Sequence, residues 1–454
     1  MGCWHRRRRS TPYRWGGAFA IAGFLFNGGI AGFQFLRTFK FTDYQNANNV
    51  AWKSIPLTML VTQRGLLYAI PAGLILLYHW REKFFRDRQG QSGSVKGQSN
   101  AGAARTPVPL PFWLELSIYA SMPLFHIHTF MALSILLICF FIVGDVPVRT
   151  HVVKVLLLAL LPATFFVWTV SDHFGAKSVL EFHWGWAQRE GDFAMPFFRF
   201  WFFNFGILVP LVLTLVGLFG YRVWKEGFRW GQKQSEEIAF VFGASAIFLF
   251  VFFVKTAPWI WDNLKILIWA YFIVLPFLWR DLIVHWERPI RWAVCFALFA
   301  SGFVSLFGGL AAGRGGFGFA DRAEVDAIAA VVRQMPIEAR FAAWPTYNHP
   351  LLLDGRKVVM GYPGHLWTQG FDKYGETNEL LTKFMQGAAN WRDLARTLNV
   401  RYVFWGREEK ANYSSSSRPW EKTSALAASG AWGAIYDLEK AALPGQTPPP
   451  APTQ

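Results

Sequence analysis

Apolar runs of about 17–25 residues, the length at which a helix spans the hydrocarbon core of a bilayer, recur from residue 16 to residue 311 and constrain this chain more than any other feature. Spans are expected at about 16–36, 59–79, 109–124, 127–144, 153–170, 197–220, 237–254, 264–279 and 291–311. Gly and Pro occur within the runs, and Trp and Tyr gather near their ends, as interfacial belts do. Of 454 residues 53% are hydrophobic and only 16% charged, with 45 Phe and 23 Trp, which excludes a string of soluble domains. The expected fold is mainly α: a polytopic bundle of about nine transmembrane helices, followed by a small soluble α/β domain.

The formal charge of +16 invites a nucleic-acid reading. Its distribution argues against one. Arg6 to Arg9 precede the first span, Arg81, Lys83, Arg86, Arg88, Lys96 and Arg105 crowd one loop, and Arg222, Lys225, Arg229 and Lys233 crowd another. Basic residues beside spans mark the cytoplasmic side. The 109–124 run is short for a crossing and also reads as a half-helix that re-enters from the cytoplasm, shielded by its neighbours. If 109–144 crosses twice, segments 1–15, 80–106, 145–152, 221–236 and 280–290 all fall inside. The reading is therefore nine passes in a bacterial inner membrane, with the N-terminus cytoplasmic.

The expected organisation is a basic N-terminus (1–15), a membrane domain (16–312), an extracytoplasmic domain (313–440) and a Pro-rich tail (441–454). Residues 80–106 form a cytoplasmic loop that is Gly/Ser/Gln-rich over 89–106 and reads as a flexible linker. In the soluble part, "DRAEVDAIAAVVRQM", "NELLTKFMQG" and "NWRDLARTLNV" have helical spacing, and "ARFAAW", "KVVMGY", "RYVFWG" and "WGAIYDL" read as short strands. Cys139 and Cys295 lie inside apolar runs and read as buried small hydrophobes, and no cleavable signal is visible around Cys3.

Nine passes bring the polar and aromatic departures from the apolar pattern to one face. His126 and His128 sit at a turn between two spans; they read as polar groups that orient substrate or satisfy backbone freed by Pro123, rather than as a metal pair. The 171–193 loop carries Asp172, His173, Glu181, His183, Trp184, Trp186, Glu190 and Asp192, the materials of general acid–base chemistry and of a sugar-stacking platform. The competing reading there is an exposed loop anchored in the interface by its tryptophans. In "KTAPWIWDNLK", Asp262 or Asn263 stands at a helix N-cap position. Lys255, Lys265 and Arg64 offer cations where a lipid phosphate would lie. In the soluble domain, "YNHPLLLDGRKVVMGYPGHLWTQG" is a long, aromatic-rich loop in which His349, Tyr362, His365 and Trp367 are the functional candidates.

The pieces "VAWKSIPLTMLVTQRGLLYAIPAGLILL", "MPLFHIHTF", "FWFFNFGILVPL", "PWIWDNLKILIWAYFIVLPFL" and "NHPLLLDGRKVVMGYPGHLW", in that order over roughly residues 50–370, resemble the C-terminal two-thirds of large bacterial membrane proteins of the GT-C glycosyltransferase type. The resemblance implies transfer of a sugar from a polyprenyl-phosphate donor in the membrane lipid to an acceptor on the outer face. In that family the catalytic acid lies in a long outer loop after the first span. Here "FKFTDYQNANN" offers Asp43 alone, so Asp43 serves, or the chain begins downstream of that part, or catalysis has been lost. Asp172 and Asp262 are the other candidate bases. A non-catalytic GT-C-like scaffold with a partner subunit is the alternative. A transporter is the third reading, disfavoured by few mid-membrane charges and no inverted repeat of broken helices. The sequence names no cofactor.

Overall fold

A computed structural model describes residues 15–43, 49–61, 63–86, 109–176, 180–225, 232–310, 318–368, 370–371 and 373–442. The Arg6–Arg9 run, the 89–106 linker, Thr62, Arg229, the side chain of Asp192 and the tail from 443 lie outside the described residues. The chain divides into two compact units, 1–174 with 179–315 and 175–178 with 316–454.

The first unit is helical: α1 (Gly16–Leu25), α2 (Arg64–Arg81), α3 (Phe112–Val143), α4 (Val146–Val170), α5 (Phe197–Phe205), α6 (Leu208–Lys225), α7 (Gln232–Phe253), α8 (Leu264–Phe277) and α9 (Arg288–Leu310). Six helices among the described residues are long and apolar enough to cross a bilayer: α3, α4, α6, α7, α8 with its flanking turns, and α9. The chain is a multi-pass membrane protein. On α4, Leu157, Leu158, Leu160, Leu161 and Phe165 face outward, where lipid would solvate them.

Nine spans were expected against these six, and three segments account for the difference. The 16–36 run is broken after the ten residues of α1 and resumes only as short turns at Ala31–Gln34 and Phe35–Thr38; between α1 and these turns Gly29 sits against backbone, where a Cβ would lie 2.2 Å from the Phe203 carbonyl oxygen. Arg64, Pro71 and His79 dilute the apolar character of α2. The 197–220 run breaks at Gly206, which adopts φ +55 between α5 and α6, yet still supplies one of the six, α6. The third segment is α3, in which the two runs expected at 109–124 and 127–144 are joined.

His126 leaves helical geometry inside α3 (φ −161, ψ 93). Tyr119 Oη lies 2.7 Å from Ser134 Oγ, and the Tyr119 and Phe130 rings are 5.0 Å apart. A straight helix would hold residues 119 and 134 about 22 Å apart. The two halves of α3, 112–125 and 127–143, therefore run antiparallel as a hairpin, the arrangement that crossing twice requires. At about 21 and 26 Å each half is shorter than a bilayer core of roughly 30 Å.

One end of the bundle is tied by ion pairs. Arg81 meets Glu236 at 2.6 Å, and Arg280 meets Glu237 at 2.6 Å and Asp281 at 2.9 Å. At the opposite end two buried asparagines staple the extended segment 49–55. Asn204 Oδ1 accepts from the N–H groups of Ala51 and Trp52, and Asn27 Oδ1 accepts from that of Ile55. Such fully paired amides satisfy backbone that no helix or sheet could.

The second unit is a mixed sheet between helices. Strands β3 (Arg340–Ala342), β4 (Lys357–Val358), β5 (Tyr402–Trp405), β6 (Ser424–Gly430) and β7 (Gly433–Ala441) lie in the order β4-β3-β5-β7-β6. In the first unit β1 (Glu181–Phe182) and β2 (Val254–Lys255) form a separate antiparallel pair. Alternation along the strands sends Phe341, Tyr402, Phe404 and Ile435 to one core with Ile328 and Val332 of α10 (Arg322–Val332). It sends Ala342, Val403, Trp405 and Tyr436 to another, with Leu381 and Phe384 of α11 (Tyr374–Met385) and Leu394 of α12 (Trp391–Thr397). A sheet covered on both faces needs apolar residues at every position, and "YVFW" supplies them.

Candidate functional site

The hairpin apex of α3 gathers a set of buried polar side chains. His126 is the N-cap of the returning half: its Nδ1 accepts from the Thr129 N–H (3.2 Å) and from the Thr129 hydroxyl (2.8 Å). The Trp269 indole N–H donates to the same hydroxyl oxygen at 3.0 Å. Thr129 and Trp269 are fully buried, and His126 is 8% exposed. With its lone pair on Nδ1 thus engaged, the ring carries its proton on Nε2. The His128 ring stands 5.5 Å from that of His126, and the Nε2 atoms of both are buried without a partner among the described residues.

Two further helices begin at this apex. The N-terminal turn of α2 lies against it, since a Cβ on Gly65 would fall 2.1 Å from the Phe125 carbonyl oxygen, and the Tyr68 and Phe125 rings are 4.0 Å apart. Arg64, the first residue of α2, is exposed there. The N-terminal part of α8 supplies Trp269 and Lys265, whose ammonium is near enough to act on both histidines and meets Asp262 at 3.1 Å. Three helix N-termini and two cations thus converge, an arrangement that favours anions.

The remaining candidates are dispersed. Asp43 is half-buried and accepts from Ser305 Oγ of α9 at 3.3 Å. Asp172 is exposed in a left-handed turn (φ 49) beside His173. Asn263 is fully buried and acts as a staple, accepting from the Thr256 N–H and hydroxyl and donating to the Val251 and Val254 carbonyls, rather than capping α8. Lys255 faces Glu181 at 3.8 Å across the β1–β2 pair. The His183 N–H extends that pairing to the Phe253 carbonyl. Trp184 is half-exposed with its edge on Phe252 and Phe253. Trp186 is fully buried against Phe200, Trp201 and Phe205, so it offers no face to a sugar and the expected tandem platform reduces to Trp184. Among the described residues no three His, Cys, Asp or Glu side chains group to hold a metal.

In the second unit His349 is also an N-cap, its Nδ1 accepting from the Leu351 N–H while its Nε2–H donates to Glu409 Oε1 at 3.0 Å. Glu409, fully buried, also accepts from the N–H groups of Trp344 and Gly406. Burial and then this carboxylate push the Tyr413 phenol above its usual range. The pair borders a cavity of 330 Å³ lined also by Asp321, Asn348 and Arg407. Tyr362 and His365 lie outside that lining and pack edge to face at 5.4 Å.

Sequence reasoning passed over a second histidine cluster, at the ion-paired end. Glu115, fully buried near the start of α3, accepts from His79 Nε2 (3.1 Å), Trp80 Nε1 (2.8 Å), Lys83 Nζ (2.8 Å) and His151 Nε2 (2.9 Å). His79 Nδ1 accepts from the Leu110 N–H. A lone acid in an apolar run was the available signal.

No protein-family model and no curated protein matches the chain. Among solved structures it is similar to the Archaeoglobus fulgidus oligosaccharyltransferase in its apo form, with 11% identity and a TM-score of 0.33, over 91% of this chain and 55% of that one. It is similar also to that enzyme tethered by a disulfide to an acceptor peptide containing the NVT sequon, with 16% identity and a TM-score of 0.31, over 90% of this chain and 48% of that one. The chain spans about half the length of these structures.

Proposed function

We propose that this protein is a GT-C-like membrane glycosyltransferase that moves a sugar from a polyprenyl-phosphate donor to a hydroxyl acceptor on the outer face. The observation that carries the reading is the hairpin apex, where Arg64, Lys265 and three helix N-termini converge at one end of an apolar bundle. That is the electrostatics a lipid phosphate requires, both bound and as a leaving group. In the reaction the acceptor oxygen bonds to the anomeric carbon, the bond to phosphate breaks, and the acceptor proton passes to a carboxylate. Asp43 is the first choice for that base, ahead of Asp172 and Asp262. The N-terminus is cytoplasmic in this reading, because the basic loops share one side.

One observation favours the alternative of a non-catalytic relative serving as a scaffold or subunit: the Asp262 carboxylate is committed to Lys265, and that of Asp43 to Ser305. Turnover separates the two. The purified chain in liposomes with a polyprenyl-phosphate sugar and a hydroxyl acceptor is expected to release polyprenyl phosphate, and Asp43→Asn to slow release by about 100-fold or more. Release unaffected by Asp43→Asn removes the assigned base. No release by the wild-type chain with any such donor leaves the scaffold reading.

A further inference from the structure

Three buried histidines in this chain share one wiring, and only two of them complete it with protein groups. His79, His126 and His349 each use Nδ1 to accept from a backbone N–H, of Leu110, Thr129 and Leu351 respectively. Each ring therefore carries its proton on Nε2. The His79 Nε2–H donates to the Glu115 carboxylate and that of His349 to the Glu409 carboxylate. The His126 Nε2–H, on a residue 8% exposed, meets no acceptor among the described residues. A buried donor without an acceptor costs about 1–3 kcal/mol, which selection tolerates where a ligand supplies the partner.

We infer that His126 is a ligand-binding residue whose Nε2–H donates to an oxygen of a phosphate monoester or diester, with Thr129 and Trp269 as the positioning residues that aim it. The two completed histidines define the missing partner as an anionic oxygen. The surroundings agree. Lys265 acts on the ring from α8, the N-terminus of the returning half of α3 begins at His126 itself, and that of α2 lies against Phe125. Asp262, the acidic group adjoining Lys265, already engages that lysine. His128 stands beside His126 with its own Nε2 buried and unpartnered, a second polar contact for the same headgroup. The Trp269–Thr129–His126 chain fixes the imidazole face before the ligand arrives, so little ordering cost remains at binding.

The inference rests on the lipid-phosphate reading and narrows it to one donor atom. Asn is a favoured N-cap, so His126→Asn retains the acceptor for the Thr129 N–H, while its shorter side chain no longer places an N–H where Nε2 stands. Full-length protein in phosphatidylcholine nanodiscs is titrated with undecaprenyl phosphate and, separately, with inorganic phosphate. Phosphatidylcholine alone is the blank. Wild-type affinity for undecaprenyl phosphate is expected to fall about 10- to 100-fold in His126→Asn, with the thermal midpoint retained. The His126 Nε2 nitrogen resonance of the ¹⁵N-histidine-labelled wild type is expected to move on binding while Nδ1 stays unprotonated, and this readout holds even if the variant misfolds. Parallel losses for both titrants place recognition in the headgroup, and a loss with the lipid alone makes the ligand membrane-borne. Wild-type binding that His126→Asn leaves intact, with no shift at Nε2, overturns the assignment while sparing the glycosyltransferase reading. Failure of the wild type to bind either phosphate overturns both.

Discussion

At the scale of single residues, buried polar groups in this chain are satisfied by small closed sets. Glu409 is the clearest in the second unit, with two backbone N–H groups and the His349 ring converging on one carboxylate. Removing it strands three donors at a fully buried position. Glu409→Ala is expected to destabilise the fold by about 3–5 kcal/mol, read as a lowered denaturant midpoint, whereas Glu408→Ala at the half-buried neighbour changes it by under about 0.5 kcal/mol. Equal effects would sink the accounting. Sequence reasoning ranked His349 and passed over Glu409, because "GREEK" looks like a solvated helix start. Which of its two glutamates turns inward depends on His349, a helix N-cap 60 residues away.

At the scale of elements, close backbone approach decides how the helices meet. Gly65 lets α2 rest on the hairpin apex, with its missing Cβ in the place of the Phe125 carbonyl oxygen. Gly217, in the middle of α6, has open space instead. Gly65→Ala should therefore lower the thermal midpoint, costing roughly 1–3 kcal/mol, and weaken polyprenyl-phosphate binding by separating Arg64 from the histidines. Gly217→Ala should hold or raise the midpoint through helix propensity. A neutral Gly65→Ala would contradict the contact. Element types were largely legible beforehand: β3, β5, β7, α10 and α12 fall on the segments whose periodicity announced them. Strand β6 did not announce itself, since "SALAASG" has little strand propensity and becomes a strand by pairing with β7. The α3 hairpin was anticipated as two passes over 109–144, from the distribution of basic loops and from a short run followed by Pro123 and two histidines. Its turn at a single residue required the His126 cap.

At the scale of the molecule, the helices of the first unit alternate between an ion-paired end, with Arg81, Arg280 and Glu236, and an end that holds Arg64, His126 and Lys265. In the proposed orientation the first end is the cytoplasmic one. In a background carrying Cys3→Ala, Cys139→Ala and Cys295→Ala, a membrane-impermeant maleimide added to intact cells should label Phe182→Cys, whose native side chain is exposed. It should label Lys225→Cys only after permeabilisation. The reverse pattern would turn the protein over, and labelling of both from one side would break the alternation itself. Sequence alone determined the membrane class, most helices, the α/β character of the second unit and the apex as a polar site. All of these follow from composition and periodicity, which act on each segment where it stands. Only the tertiary structure decided that Trp186 is core, that Asn263 is a staple, and that of three identically wired histidines two face a glutamate and one does not. Those outcomes turn on pairs such as Trp269 with Thr129 and His79 with Glu115, whose members are ordinary in their own neighbourhoods. Their chemistry exists only where the fold brings them within hydrogen-bond reach.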